Sequence, residues 1–270
     1  MRYDAIVLAG GRSRRLDGVP KEGLLVAGQT LLQHALAAVR GARQTVVVGP
    51  EPAGGLPPSV LQTREDPPFA SPAAGVAAGL EALGRPASSK PPDGHRAKRD
   101  SVPARPATRV PSPWVLVLAC DMPAADAAVA ALVAALAGDA LADDAPTGEA
   151  ASDGMIAQDP SGHLQPLAAL YRVAALRTAI EAKRAAGSLV GSSMFSLVRP
   201  LHLAAIPVPA GSTDDVDTWE DARRLGVRSA TPHTMPSTTS LPGASGPAPP
   251  EAHEATAPSQ RPTQGEESNR

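Results

Sequence analysis

A single cysteine, Cys120, rules out any disulfide within the chain. Stability must come from burial, and a reducing compartment suits such a sequence. Aromatic residues are nearly missing, with two Trp, two Tyr and two Phe in 270 residues, so Leu, Val and Ala have to fill the core. Long apolar runs are also lacking. The greasiest stretch, residues 127–137, is bounded by Asp126 and Asp139 and falls short of the roughly 20 residues that span a bilayer. The apolar run at residues 5–9 is too short for a secretory signal and no cleavage site follows it. Charge of one sign is not in excess either: the net charge is -2, which gives no case for nucleic acid or for a membrane surface. These absences lead us to expect a cytoplasmic protein with neither nucleic acid nor membrane as partner.

What is present is an ordinary globular composition, 43% hydrophobic and 19% charged, in a chain long enough for a large core. Ala5-Ile6-Val7-Leu8-Ala9 runs into Gly10-Gly11, and Thr45-Val46-Val47-Val48 runs into Gly49-Pro50. Both read as buried parallel strands ending in turns. Residues 60–63 suggest a short third strand, and residues 114–119 a clear fourth. Helical spacing marks residues 30–39, 73–83 (started by Ser71-Pro72), 125–137 and 174–186. Residues 153–158 and 167–171 read as strands about a turn at Asp159-Pro160-Ser161-Gly162. A short helix at 193–198, a strand at 203–208 and a helix starting near Thr218, with Asp221 three residues on, complete the pattern. Strands alternating with helices predict an α/β fold: a Rossmann-like, mostly parallel sheet with helices on both faces. Ligands then bind at the carboxyl ends of the strands.

Three stretches break the pattern. Residues 84–113 are rich in Pro, Ser, Lys and Arg, and residues 139–152 are acidic and polar. From about 228 to 270 the chain is Pro, Ser, Thr, Gly and Glu without periodicity. We expect a domain over residues 1–227, carrying a disordered basic insertion at 84–113, and a disordered tail at 228–270. Arg96, Lys98, Arg99, Arg105 and Arg109 of the insertion could touch nucleic acid or lipid, but the total charge favours a solvated loop.

Chemistry is expected just after the strands. Leu8, Ala9, Gly10 and Gly11 lead into Arg12, Arg14, Arg15 and Lys21. Glycines let backbone N–H groups approach an anion, and the cations suit a triphosphate. The letters match neither the dinucleotide fingerprint G-x-G-x-x-G nor G-x-x-x-x-G-K-[ST]. Asp121 follows the strand at 114–119, where a carboxylate can hold Mg²⁺ or cap the next helix. Asp215 and Asp217 offer further carboxylates, with helix capping by Asp217 or Thr218 as the plainer role.

LAGGRSRRLDGVPK, residues 8–21, resembles the signature loop of the molybdenum cofactor guanylyltransferase family, L-A-G-G-x-S-x-R-[LM]-G-x-x-x-K. Ala119-Cys120-Asp121-Met122-Pro123 looks like that family's metal motif, and QPLAALY (165–171) and DVDTWED (215–221) look like its later segments. The similarity covers about residues 2–226, apart from the insertion. The double glycine resembles the guanylyl branch, since cytidylyl relatives usually carry L-A-A-G.

The resemblance implies transfer of GMP from GTP to the phosphate of molybdopterin, with Mg²⁺ as cofactor and transient contact with other molybdenum cofactor biosynthesis proteins. It implies nucleotide binding by Leu8, Ala9, Gly10, Gly11, Lys21, Asp66, Gly75 and Asp121, catalysis by Lys21, Arg15 and Asp121, and metal binding by Asp121 and Asp217. The chain departs from the pattern at Asp17, where glycine is usual, at Asp215 and Asp217, where many relatives have asparagine, and at Glu22, which looks like an extra residue. Ala186-Gly187-Ser188 lacks an arginine that relatives often carry before the serine. Two other readings stay open: a cytidylyl- or other phosphate nucleotidyltransferase on the same scaffold, and a non-catalytic nucleotide-binding protein.

Overall fold

The computed structural model describes residues 2–11, 13–85, 112–142 and 152–229. Seven strands form one sheet in the order β5-β4-β1-β6-β8-β7-β9. They are β1 (Tyr3–Leu8), β4 (Thr45–Val48), β5 (Val60–Thr63), β6 (Trp114–Ala119), β7 (Gly154–Gln158), β8 (Leu164–Arg172) and β9 (Leu203–Pro207). β1 pairs in parallel with β4 and β6, β4 with β5, and β7 with β9. β8 alone runs antiparallel to its neighbours β6 and β7. The sheet is thus mostly parallel, as the strand–helix alternation predicts.

The strand sequences dictate a two-faced core, because successive side chains point to opposite faces. Ala5, Val7, Leu116 and Leu118 face helices α1 (Leu31–Ala38) and α3 (Ala125–Ala142). Ile6, Val115 and Val117 face α2 (Pro72–Gly84), α4 (Val173–Ala185) and α5 (Met194–Val198). Strands with apolar residues on both faces can only be central, and β6 is buried along its whole length. β9 is the opposite case: three of its five residues are exposed and it ends in Pro207, as befits an edge. Asp4, buried beside this core, is held by Arg43 through Nη2 at 2.8 Å.

Helix starts follow their caps. Thr30 accepts from the Gln33 backbone N–H at 3.1 Å while Gln33 Oε1 accepts from Thr30 N–H at 2.8 Å, so α1 begins one residue after the cap. Ser71 caps α2 through Ala74 N–H at 3.2 Å, with Pro72 in the first turn. Thr218 and Asp221 form a second reciprocal box at the start of α6 (Trp219–Arg224).

Four expectations need correcting. α3 continues to Ala142, past the acidic loop expected from 139, because the high helix propensity of Ala140, Leu141 and Ala142 carries the helix past Gly138 and Asp139. A small hairpin, β2 (Leu25–Val26) with β3 (Gln29–Thr30), was not expected, since two-residue strands carry no periodicity. Gly84 closes α2, and Ser112 is buried with its hydroxyl donating to Arg2 O at 2.5 Å. Arg228 exchanges both backbone hydrogen bonds with Leu25, at 2.7 and 2.8 Å, so the fold reaches beyond 227. The rest of the 84–113 insertion with Arg96, Lys98, Arg99, Arg105 and Arg109, the remainder of the 139–152 loop from 143 to 151, and the tail from 230 lie outside the described residues.

Candidate active site

The loop after β1 is pinned before it is free. Ala9 N–H donates to Val48 O at 2.8 Å, and Ala9 is buried against β4. Gly49 answers it: a Cβ there would lie 2.3 Å from Ala9 O, and its φ of +152° suits glycine. Gly10 is different, because a Cβ on it would meet nothing nearer than Gly49 Cα at 3.7 Å. Its open side is therefore not demanded by the fold. Gly10 and Gly11 are exposed and, with Leu8, line a cavity of about 370 Å³ at the carboxyl end of the sheet.

Beyond them the chain turns at Ser13 and Asp17, both left-handed at φ 41° and 53°. Arg12 lies outside the described residues, as does the side chain of Arg14. The left-handed backbone at 17 explains why glycine fits this position and why aspartate, which tolerates that region, can replace it. The Asp17 carboxylate accepts from the Trp219 indole N–H at 2.9 Å, which fixes its charge on α6.

Lys21 opens a short 3-10 turn, Lys21–Gly23, and its side chain is brought to two carboxylates. Nζ donates to Asp121 Oδ2 at 2.9 Å and to Asp217 Oδ1 at 2.5 Å. Asp121 extends from the end of β6, and its own carbonyl accepts from Val216 N–H at 3.0 Å, which ties the 214–217 loop to the strand. Because Thr218 and Asp221 cap α6, Asp217 is left for the cavity. Arg15 is largely exposed and its guanidinium lies 3.8 Å from Asp217. Asp121, Asp215 and Asp217 offer oxygens all within 4.8 Å of one another.

The electrostatics follow from this crowding. Burial alone would lower the pKa of Lys21, but the charge of Asp121 and the hydrogen bonds to Asp217 and Asp121 outweigh it and push it upward. Asp215 is shifted up, first by partial desolvation of its carboxyl and then by repulsion from Asp121 and Asp217. Its residue surface is open, so the like charges weigh in our reading at least as much as the desolvation. Glu22, also on the cavity wall, is raised by desolvation. Cys120 is buried and its thiol is pushed well up, by burial and then by Asp121, which makes it a poor nucleophile.

The other wall of the cavity comes from the β5 side. Phe69, Ser71, Pro72 and Gly75 line it, and a Cβ on Gly75 would press Leu8 Cδ2 at 3.3 Å. Gln165 and Leu167 of β8 close the far side. The structure thus brings together Leu8, Gly10, Gly11, Lys21, Gly75, Asp121 and Asp217 around one space, with Ala9 behind it and Arg15 at its rim. Asp66 is placed elsewhere. It lines the adjacent groove with Arg64 and Arg184, while its neighbour Glu65 borders both spaces. Glu65 Oε1 accepts from Phe69 N–H at 2.8 Å; this turn faces Glu65 and Phe69 to the cavity and Asp66 to the groove. Phe69 and Glu65 escaped the sequence reading, and Gln165 entered it only as the first letter of QPLAALY, with no role at the site. The only signal for Phe69 is its rarity in a chain with two phenylalanines.

Residues 5–198 match the family model of the MobA-like NTP transferase domain. A stretch of 37 residues is 54% identical to the molybdenum cofactor guanylyltransferase of Acidiphilium cryptum (strain JF-5); it spans 14% of this chain and only about a fifth, 19%, of that protein. Among solved structures, molybdopterin-guanine dinucleotide biosynthesis protein A from Archaeoglobus fulgidus is similar at a TM-score of 0.50 and 16% identity, over 82% of this chain and 96% of that one. 2-C-methyl-D-erythritol 4-phosphate cytidylyltransferase from Thermus thermophilus is equally similar, at 0.50 and 21% over 83% and 97%. At such identities the structural likeness establishes the fold. No helix among the described residues is long and apolar enough to cross a membrane.

Proposed function

The chain belongs to the MobA-like NTP transferase family, and from that premise we propose that it transfers GMP from GTP to the phosphate of molybdopterin, releasing pyrophosphate. The observation that carries this reading is the meeting of Lys21 and Asp121, 100 residues apart in sequence and 2.9 Å apart in space, at a cavity whose other edge is an unobstructed glycine turn. The double glycine at 10–11 and the stretch shared with the Acidiphilium guanylyltransferase favour GTP over CTP.

The donor set fits the metal expected of such chemistry. Three carboxylates, all hard oxygen ligands, converge within 4.8 Å, which suits Mg²⁺ held by a few carboxylates and by phosphate oxygens. Asp121, Asp217 and Asp215 would hold it, and when bound it would supply charge neutralisation at the α-phosphate. In the reaction a molybdopterin phosphate oxygen forms a bond to the α-phosphorus of GTP, and the bond to the β-phosphate oxygen breaks. The attacking phosphate is already anionic, so no residue need take a proton. Lys21 and Arg15 place positive charge on the departing pyrophosphate, and the backbone of residues 8–11 positions the nucleotide for attack. Two anions are held together by fixed cations, the kind of term whose single-group loss lowers rate by about 10²–10³.

The test is pyrophosphate release by the purified protein with Mg²⁺, molybdopterin and each of the four NTPs in turn. Turnover with GTP is expected. Turnover with CTP in its place would assign the chain to cytidylyl transfer, and binding of an NTP with no turnover would leave it a nucleotide-binding protein.

A further inference from the structure

We propose that Phe69 is the platform on which the base of the bound nucleotide stacks, an inference that rests on the nucleotidyl-transfer reading of the same cavity. Phe69 has a φ of +60°, a left-handed backbone that a bulky residue rarely adopts. A glycine would make the same turn without strain. The turn is fixed on both sides: Glu65 Oε1 holds Phe69 N–H at 2.8 Å, and just beyond, Ala70 O accepts from Gly191 N–H at 3.2 Å while the Ser71 hydroxyl donates to Leu189 O at 3.1 Å. Strain over-determined in this way is a mark of a functional position.

The ring is not there to fill a core. It is 41% exposed, one of three large hydrophobic side chains so exposed among the described residues. The Arg64 guanidinium lies 4.9 Å from its centroid and lines the neighbouring groove, which covers the ring from that side. The residue also lines the cavity, so the ring lies between the Arg64 guanidinium and that space. Among the described residues lining the cavity, Phe69 is the one aromatic, and its neighbours Val48, Pro72 and Leu8 give that end an apolar character.

The sheet order then sets the direction of the ligand. Phe69 follows β5 and Asp121 follows β6, with β4 and β1 between them. Three strand spacings separate the ends of β5 and β6 by about 14 Å. A nucleotide with its phosphates at Lys21 and Asp121 and its middle over Gly10-Gly11 has its base at Phe69.

Calorimetric titration of the full chain with GTP and with inorganic tripolyphosphate, each with Mg²⁺, tests this. Phe69→Ala should weaken GTP by roughly 5–150-fold, the range typical of one lost base–aromatic stack, and leave tripolyphosphate affinity within about twofold. Phe69→Trp should keep GTP affinity. Phe69→Gly should weaken GTP as Phe69→Ala does, yet melt no lower than the wild type because it relieves the left-handed strain. Unchanged GTP affinity in Phe69→Ala, or equal loss of GTP and tripolyphosphate, would overturn the stacking role while the cavity's assignment stands. A wild type that binds none of the four NTPs would bring down the assignment and this inference with it.

Discussion

Lys21→Met keeps the length of the side chain and removes its charge, and it should tighten divalent-metal binding while it stops turnover. In the nucleotide-free protein the ammonium sits 2.9 Å from Asp121 and 2.5 Å from Asp217, with side-chain exposures of 16%, 19% and 48% for the three residues. A metal ion approaching those carboxylates must displace it. At an effective dielectric constant of about 20, the Lys21–Asp121 contact is worth about 6 kcal/mol before desolvation is counted. Most of that is offset by the cost of stripping water, and a charged hydrogen bond nets about 1.5–3 kcal/mol. Removing the competitor should therefore raise Mn²⁺ affinity by roughly 10–150-fold. Titration of nucleotide-free protein with Mn²⁺, read as loss of the free-ion paramagnetic resonance signal, measures this directly. The melting temperature offers a second reading. Without Lys21 three acids face one another, so the variant should melt lower than the wild type in chelator and recover when Mg²⁺ is added. Mn²⁺ affinity equal to or below that of the wild type would refute the claim that the lysine and the metal compete for one place.

Three further outcomes follow from the same geometry. Asp215 has a raised pKa in the folded protein, so its charged form is disfavoured there relative to the unfolded chain. Its contribution to stability is greatest below the ordinary carboxylate range and is lost as pH rises through the folded value. Asp215→Asn should accordingly raise the urea midpoint at pH 7 in metal-free buffer, and the gain should vanish as pH falls to about 4; a gain that grows on acidification would contradict the assignment. Gly10→Ala has room for its methyl, 3.7 Å from the nearest atom, and should fold as the wild type does while losing preference for GTP. Gly49→Ala, whose methyl would lie 2.3 Å from Ala9 O, should lower the melting temperature sharply. Equal melting of the two variants would show that the β1–β4 contact is not as tight as described.

Much of this site was legible because short linear motifs carry it. Residues 8–21 and 119–123 follow strands whose apolar runs are unmistakable, so their place at the carboxyl end of a sheet could be reasoned without coordinates. Other features depend on the whole fold. The turn at 159–162 implies the antiparallel pairing of β8 with β7, but its antiparallel pairing with β6 is not written in its letters, since a buried strand reads the same in either direction. The hairpin at 25–30 is too short for any period. Asp66 and Glu65 are adjacent acids, and only the turn that ends on Phe69 N–H decides which of them faces the cavity. Asp217 could equally have capped a helix, until Thr218 and Asp221 are seen to fill that role. Phe69 was missed because backbone strain leaves no trace in composition.

The basic loop and the 214–217 segment are also joined by a small apolar cluster of their own. Leu16, Leu24 and Leu31 pack there with Val216, Ala222 and Val227, nearly two hundred positions further along the chain. During synthesis the nucleotide half of the site is therefore made early but has nothing to rest on. Its lysine can meet Asp121 once β6 is made, but Asp217 and the apolar cover of its leucines come only with the 214–227 segment, so the loop's seat is completed long after the loop itself.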